Sequence, residues 1–133
     1  MNVIELNHVN VTVPAAAEAD AKLFYRKVLG LRQVPKPEGS RTTVGAWYQL
    51  GALQLHLSVE DGLENQASSR HVCYVVADIS AAEHHFRTAG VEIISDERPV
   101  RGWPRFYVRD PGGNLIEIAQ NLGEVSVESK DAG

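Results

Sequence analysis

The sequence predicts an α+β fold made from two copies of one strand-helix-strand-strand-strand unit, and three observations carry that prediction. Alternating and helix-like stretches occur in the same order twice along 133 residues. Short pieces recur: Asn7-His8-Val9 is echoed by Arg70-His71-Val72, and Leu29-Gly30-Leu31 by Ala89-Gly90-Val91. Spacing repeats as well, with 48 positions from His8 to His56 and 46 from His71 to Glu117.

Residues 4–13 alternate, with Val9, Val11 and Val13 on one side and His8, Asn10 and Thr12 on the other, which is strand periodicity closed by Pro14. Between residues 15 and 29, Ala17, Ala21, Phe24, Tyr25 and Val28 fall at helical spacings. Gly30 sits just past that helix, where a left-handed backbone is needed. Residues 31–34 read as a short strand. Two further strands, 42–50 and 53–59, meet at a tight Gly51-Ala52 turn. In the second of these Leu53, Leu55, Leu57 and Val59 oppose Gln54, His56 and Ser58. Residues 60–70 have loop composition.

The second copy runs through a strand at 71–76, a helix at 80–89 stopped by Gly90, and strands at 91–95 and 105–109. A turn at Asp110-Pro111-Gly112-Gly113 then leads into a last strand at 115–120. The expected organisation is one domain over residues 1–122, with module one at 3–59, a linker at 60–69 and module two at 70–120. The polar tail, 123–133, is expected to fray.

Composition narrows the function. Hydrophobic residues make up 44% and charged residues 23% of the chain, an ordinary globular mixture. Thirteen basic against seventeen acidic residues give a net charge of -4 and a pI near 5.7, with no Lys/Arg cluster to grip phosphates, so nucleic acid is not the expected partner. Cys73, the single cysteine, excludes sites built from several thiolates and suits a reducing compartment. No apolar run reaches the ~18 residues of a membrane span, and no signal peptide is evident at the first residues. The expectation is a cytoplasmic protein.

Four residues stand out. His8, His56, His71 and Glu117 all interrupt strands, and His8 and His56 lie on the polar face, opposite a row of Val or Leu. Glu117 lies between Ile116 and Ile118; if those are core, its carboxylate needs a cation or firm hydrogen bonds. Singly, each has a plainer explanation. A lone strand histidine is usually a hydrogen-bonded structural residue, and Glu117 has Arg105 and Arg109 nearby in sequence as partners. Jointly, their matching places in a repeated unit strengthen the case for a divalent metal held by imidazoles and one carboxylate, with the plainer explanations still open. His84 and His85 are adjacent on a helix, point in different directions and read as surface.

Those residues bring the chain close to a known family. The sequence resembles the vicinal-oxygen-chelate superfamily of glyoxalases, bleomycin-resistance proteins and extradiol dioxygenases over residues 3–120. The resemblance rests on His8-Val9-Asn10-Val11, on Phe24-Tyr25-Arg26-Lys27-Val28-Leu29-Gly30-Leu31 and on His71-Val72. It is strongest in Phe106-Tyr107-Val108-Arg109-Asp110-Pro111-Gly112-Gly113-Asn114-Leu115-Ile116-Glu117, an aromatic strand, an Asp-Pro-x-Gly turn and the family's ligand glutamate. It implies paired βαβββ modules forming a curled mixed sheet around a cavity. It also implies a homodimer, in some members with ligands drawn from both subunits, and one divalent metal (zinc, nickel, manganese or iron) on His8, His56, His71 and Glu117.

The implied activity is a metal-dependent lyase or isomerase of the glyoxalase-like type, acting on a small oxygenated substrate, with Glu117 also carrying protons. Glyoxalase I usually places a carboxylate where this chain has His56. Three imidazoles and one carboxylate leave a divalent centre at net +1, which favours an anionic oxygen. Two alternatives remain: an iron extradiol-type dioxygenase using His8, His71 and Glu117, and a metal-free small-molecule binding or resistance protein. Substrate contacts are expected from Asn10 and Thr12 beside His8, Gln54 and Ser58 beside His56, and Tyr107 on the side of Glu117. Trp47 and Trp103 are expected to wall the pocket, and Cys73 to line it without acting as a nucleophile. Arg101 and Arg105 read as solvated surface.

Overall fold

The computed structural model describes residues 1–40 and 43–120. The predicted tail at 123–133, and the first residue of the strand predicted at 42–50, lie outside the described residues. The protein is α+β, with one four-stranded and one three-stranded mixed sheet. The described residues pack into two compact units, one built from residues 1–69 with Asp110–Asn114 and the other from Arg70–Arg109 with residues 115–120.

In the first unit β1 (His8–Val13) is followed by a 3-10 turn (Ala15–Ala17), α1 (Glu18–Leu23), a π-helical turn (Phe24–Val28), β2 (Arg32–Val34), β3 (Ala46–Leu50) and β4 (Leu53–Val59). The sheet order is β1-β4-β3-β2, with β1 parallel to β4 and the other pairs antiparallel. Val13, Phe24, Tyr25, Tyr48, Leu55 and Leu57 form its buried centre. The predicted helix at 15–29 is present but changes gauge along its length. The widened turn, closed by Leu29 N–H donating to the Phe24 carbonyl, leaves both Phe24 and Tyr25 buried. Gly30 then takes φ +72° and ends the helix as expected.

Two strands are shorter than predicted, each for a local reason. β1 starts at His8 rather than residue 4, because its parallel partner β4 begins at Leu53 and reaches upstream only to Asn7, whose carbonyl accepts from Gln54 N–H at 3.2 Å. β3 starts at Ala46 because Gly45, at φ +75°, gives its N–H to the Glu18 carboxylate at 2.7 Å. A Cβ on Gly45 would collide with the Leu57 carbonyl oxygen.

The stretch expected to be a plain loop at 60–70 is tied down instead. Asp61 accepts from Ala15 N–H at 2.8 Å, and the buried Asn65 side chain donates to the carbonyls of Thr12 and Gly112, both at 3.0 Å. Asp110 is buried and accepts from Tyr25 Oη at 2.6 Å, from the backbone N–H of Gly112 and Asn114, and from Asn114 Nδ2. Asn114 Nδ2 also donates to the Thr12 carbonyl at 2.8 Å. The Asp-Pro-Gly-Gly turn of the second copy is therefore built into the first unit.

In the second unit β5 (His71–Val76), α2 (Ile79–Thr88), β6 (Arg105–Arg109) and β7 (Leu115–Gln120) form a sheet in the order β5-β7-β6 with one helix. β5 is parallel to β7, and β6 is antiparallel to it. Asp78 caps α2 through the N–H groups of Ser80 and Ala81, and Phe86 packs edge-on against Phe106 at 5.8 Å over a floor of Val108, Ile116 and Ile118.

The predicted strand at 91–95 does not form. Only Ile94 bridges to Tyr107, through two backbone bonds of 2.7 and 2.9 Å. Continuing that register would set Asp96 opposite Arg105, but there the side chains pair at 2.8 Å, and Asp96 Oδ1 also accepts from Arg98 N–H. The chain turns aside at that point. Among the described residues no helix is long and apolar enough to cross a membrane.

Candidate metal centre

The parallel strand pair places the candidate ligands identically in the two units. In the first, Asn10 on β1 is the register partner of His56 on β4, and His8 stands two residues before Asn10. In the second, Cys73 on β5 is the partner of Glu117 on β7, and His71 stands two residues before Cys73. On the far side of the ligand-bearing strand, Trp47 is the partner of His56 and Tyr107 the partner of Glu117. Partners on paired strands share a face, so each predicted pair is brought onto one side of its sheet.

In the first unit the rings stack. His56 lies between Trp47, at 3.9 Å and 3° from parallel, and His8, at 4.1 Å and 16°. Asn7 Oδ1 is 2.8 Å from His8 Nδ1, and Gln54 Oε1 is 2.8 Å from His56 Nε2. Ser58 Oγ donates to Asn10 Oδ1 at 2.7 Å, so the predicted polar face is a connected network. Thr12 lies on the same strand face, and its carbonyl is used by Asn65 and Asn114. Burial, then the neighbouring His8 and Lys36 charges, hold the His56 imidazole below its ordinary pKa, which favours the neutral form that a metal requires.

In the second unit the contact is edge-on and charged. His71 Nε2 is 3.1 Å from Glu117 Oε1, with the His71 side chain 38% exposed and that of Glu117 only 5%. Trp103 Nε1 donates to Glu117 Oε2 at 2.9 Å, and Arg105 Nη1 approaches the same oxygen at 3.7 Å. Tyr107 meets the His71 ring edge to face at 5.9 Å. Burial, the Glu117 charge and a hydrogen bond to that carboxylate push the Cys73 thiol up to about 11, although the residue as a whole is exposed. Cys73 is therefore a proton donor to Glu117 and, as the sequence suggested, a poor nucleophile. Burial and the Glu117 charge also raise the Tyr107 phenol.

Arg105 is not the solvated residue expected of it. Its Nε binds Asp96 Oδ2 at 2.8 Å and its Nη2 donates to the Arg98 carbonyl at 3.2 Å, which leaves Nη1 directed toward Glu117. Sequence had offered Arg105 as a partner for Glu117, and that plainer role is present alongside His71. The stacking of Trp47 on His56 carried no sequence signal beyond the two residue types. His84 and His85 are exposed, as expected.

The donor types and one of the two geometries suit a divalent metal. Ligands set at right angles with bonds of about 2.1 Å are roughly 3 Å apart, the separation of His71 Nε2 and Glu117 Oε1. A metal must also lie close to the plane of each imidazole it binds. The stacked rings of His8 and His56 have nearly parallel planes, so they share one ion only after a ring turns; His8, on an exposed edge strand, has room to do so. Among the described residues, no three His, Cys, Asp or Glu side chains are grouped as a metal site.

Comparison with known proteins supplies a frame for this arrangement. A family profile described as "Glyoxalase/Bleomycin resistance protein/Dioxygenase superfamily" matches residues 5–118. The mitochondrial methylmalonyl-CoA epimerase of Mus musculus is 33% identical over 132 residues, spanning 86% of this chain and 72% of that protein. A putative glyoxalase family protein from Bacillus anthracis superposes with a TM-score of 0.80 at 30% identity, covering 91% of this chain and 98% of the other. Lactoylglutathione lyase from Agrobacterium tumefaciens shares the fold, with a TM-score of 0.69 at 20% identity and coverage of 90% and 96%.

Proposed function

The chain belongs to the glyoxalase/bleomycin resistance protein/dioxygenase superfamily, and from that premise we propose a divalent-metal-dependent lyase or isomerase of the glyoxalase-like type, a cytoplasmic homodimer acting on a small oxygenated substrate. The observation that carries this reading is the buried Glu117 carboxylate, 3.1 Å from His71 and bonded on its other oxygen to Trp103. A carboxylate placed between two core isoleucines destabilises the fold unless a cation or several donors compensate it.

His8, His56, His71 and Glu117 are the residues proposed to hold the metal. When bound, the ion supplies Lewis-acid polarisation of a carbonyl or hydroxyl oxygen. The chain does the rest. Glu117 Oε2 is engaged by Trp103, so Oε1 is the oxygen open to ligation or to a proton. Tyr107, with its raised pKa, keeps its proton near neutral pH and can donate a hydrogen bond to an oxygen that gains charge, while the Cys73 proton is engaged by Glu117. Asn10, Thr12, Gln54 and Ser58 offer polar groups for substrate hydroxyls or carbonyls. Trp47 and Trp103 present ring surface that limits water.

An isomerase of this kind removes a proton beside a carbonyl and returns it. Epimerisation of methylmalonyl-CoA, the reaction named for the mouse relative, is accordingly the first to assay. The prior experiment is metal content per subunit by mass spectrometry on untagged, chelator-free protein, with His71→Ala as control. Close to one zinc, nickel, manganese or iron per chain, lost in the variant, supports the reading. No metal after incubation with each ion overturns it.

A further inference from the structure

We infer that Trp103 is a positioning residue for Glu117: its indole N–H pins one carboxylate oxygen so that the other is presented, alone, as the metal-facing donor. The inference deepens the metal reading above and rests on it. Trp103 Nε1 donates to Oε2 at 2.9 Å while His71 Nε2 stands 3.1 Å from Oε1, and the Cys73 thiol is a further donor to the carboxylate. Arg105 reinforces the division, with Nη1 at 3.7 Å from Oε2 and its other nitrogens committed to Asp96 and the Arg98 carbonyl.

Local sequence holds the indole in place. Trp103 N–H donates to the Val100 carbonyl at 2.9 Å, closing a turn whose corner is Gly102 at φ +78°. Pro104 follows and keeps Trp103 extended. The ring also lines a groove of about 430 Å³ with Ile79, Arg87, Pro99 and Val100, so its outer surface is partly supported and the residue is 37% exposed. A carboxylate with free rotation can chelate an ion through both oxygens or through either one. With Oε2 already accepting from the indole, Oε1 is the oxygen favoured for ligation, and the carboxylate is oriented in the absence of an ion. Hydrogen-bond partners of this kind typically change metal affinity tenfold to a hundredfold when lost.

The test is a zinc titration by competition with a chromophoric chelator, using three proteins whose metal-free melting temperatures are compared first. These are the wild type, Trp103→Phe, and a protein carrying at position 103 the tryptophan analogue in which sulfur replaces the indole N–H. The analogue keeps the ring and removes only the donor. Zinc affinity lowered about tenfold to a hundredfold in both variants is the expected result. Wild-type affinity in the analogue, with weakening only in Trp103→Phe, shows that the ring and not the donor matters and overturns the proposal. Equal affinity in all three overturns it too, and leaves the metal reading standing. A wild type that binds no zinc overturns the metal reading itself, and the positioning role with it.

Discussion

The two units answer the same backbone problem with different side-chain physics. Each has a parallel strand pair, a histidine two residues ahead of the register partner of its second donor, and an aromatic residue across from that donor. In the first unit the donors are two imidazoles, stacked and capped by Trp47. In the second they are an imidazole and a carboxylate, in edge contact, with Trp103 reaching in through its N–H. The contrast teaches that a repeated register fixes where side chains start, while their chemistry fixes how they meet. Aromatic rings lie flat on one another; a buried carboxylate collects donors at its rim. One pair is set at ligand spacing already, and the other must turn a ring to reach it.

The largest expected effect breaks this contrast directly. Glu117→Ala should weaken zinc by about a hundredfold or more, beyond what an outer hydrogen-bonding partner accounts for, whereas His8→Ala should fall within the outer-partner range. Equal losses in the same competition titration would make the two pairs equivalent. Glu117→Gln is the subtler version: it should reduce turnover more than substrate binding, read as kcat against KM, if Oε1 carries a proton.

A smaller effect concerns Cys73, whose thiol reports the charge beside it. Alkylation by iodoacetamide at pH 8 should run about tenfold or more slower than for an unperturbed thiol, rising until the pH approaches 11. Glu117→Gln should accelerate it, because the neighbouring charge is removed and one of the two acceptor oxygens is replaced by an NH2 donor; an unchanged rate would show that burial alone sets the thiol.

What repeats faithfully should cost the same in both copies. Gly30 and Gly90 stop their helices at φ +72° and +77° with open space where a Cβ would point. Alanine at either should destabilise by about 1 kcal/mol, the left-handed backbone penalty, read as equal shifts in denaturant midpoint.

The smallest expected effect is a pH dependence belonging to the first unit. The His56 pKa is lowered on folding, so the unfolded chain binds more protons once the pH drops below about 6.5. Stability in metal-free protein should therefore decline as pH falls through that value, and the decline should be shallower in His56→Gln.

Much of this was legible in the sequence wherever one residue type had one reason to be where it is. β4, β5, β6 and β7 have the bounds their alternation predicted, because apolar and polar faces swap at every step. The four candidate ligands sit on the faces assigned to them for the same reason. Illegible were features decided by a distant partner. Residues 91–95 alternate less clearly, and a side-chain pair between Asp96 and Arg105 replaced the ladder. Asn65 looked like loop filler, yet two carbonyls from separate stretches of chain need its amide. Arg105 looked like surface until Asp96 and the Arg98 carbonyl fixed its direction.

The buried Asp110 has a consequence during synthesis. Its bond to Tyr25 spans 85 positions, and the bond from Asn114 to Thr12 spans 102. A ribosome delivers the amino-terminal part of the first unit early, but the residues that close its polar node emerge only after most of the second unit. Nascent chains ending before residue 110 would therefore hold Tyr25 without Asp110, and the Thr12 carbonyl with Asn65 but without Asn114. Completion of the first unit waits on nearly the whole chain, so the order of translation and the order of folding are not the same.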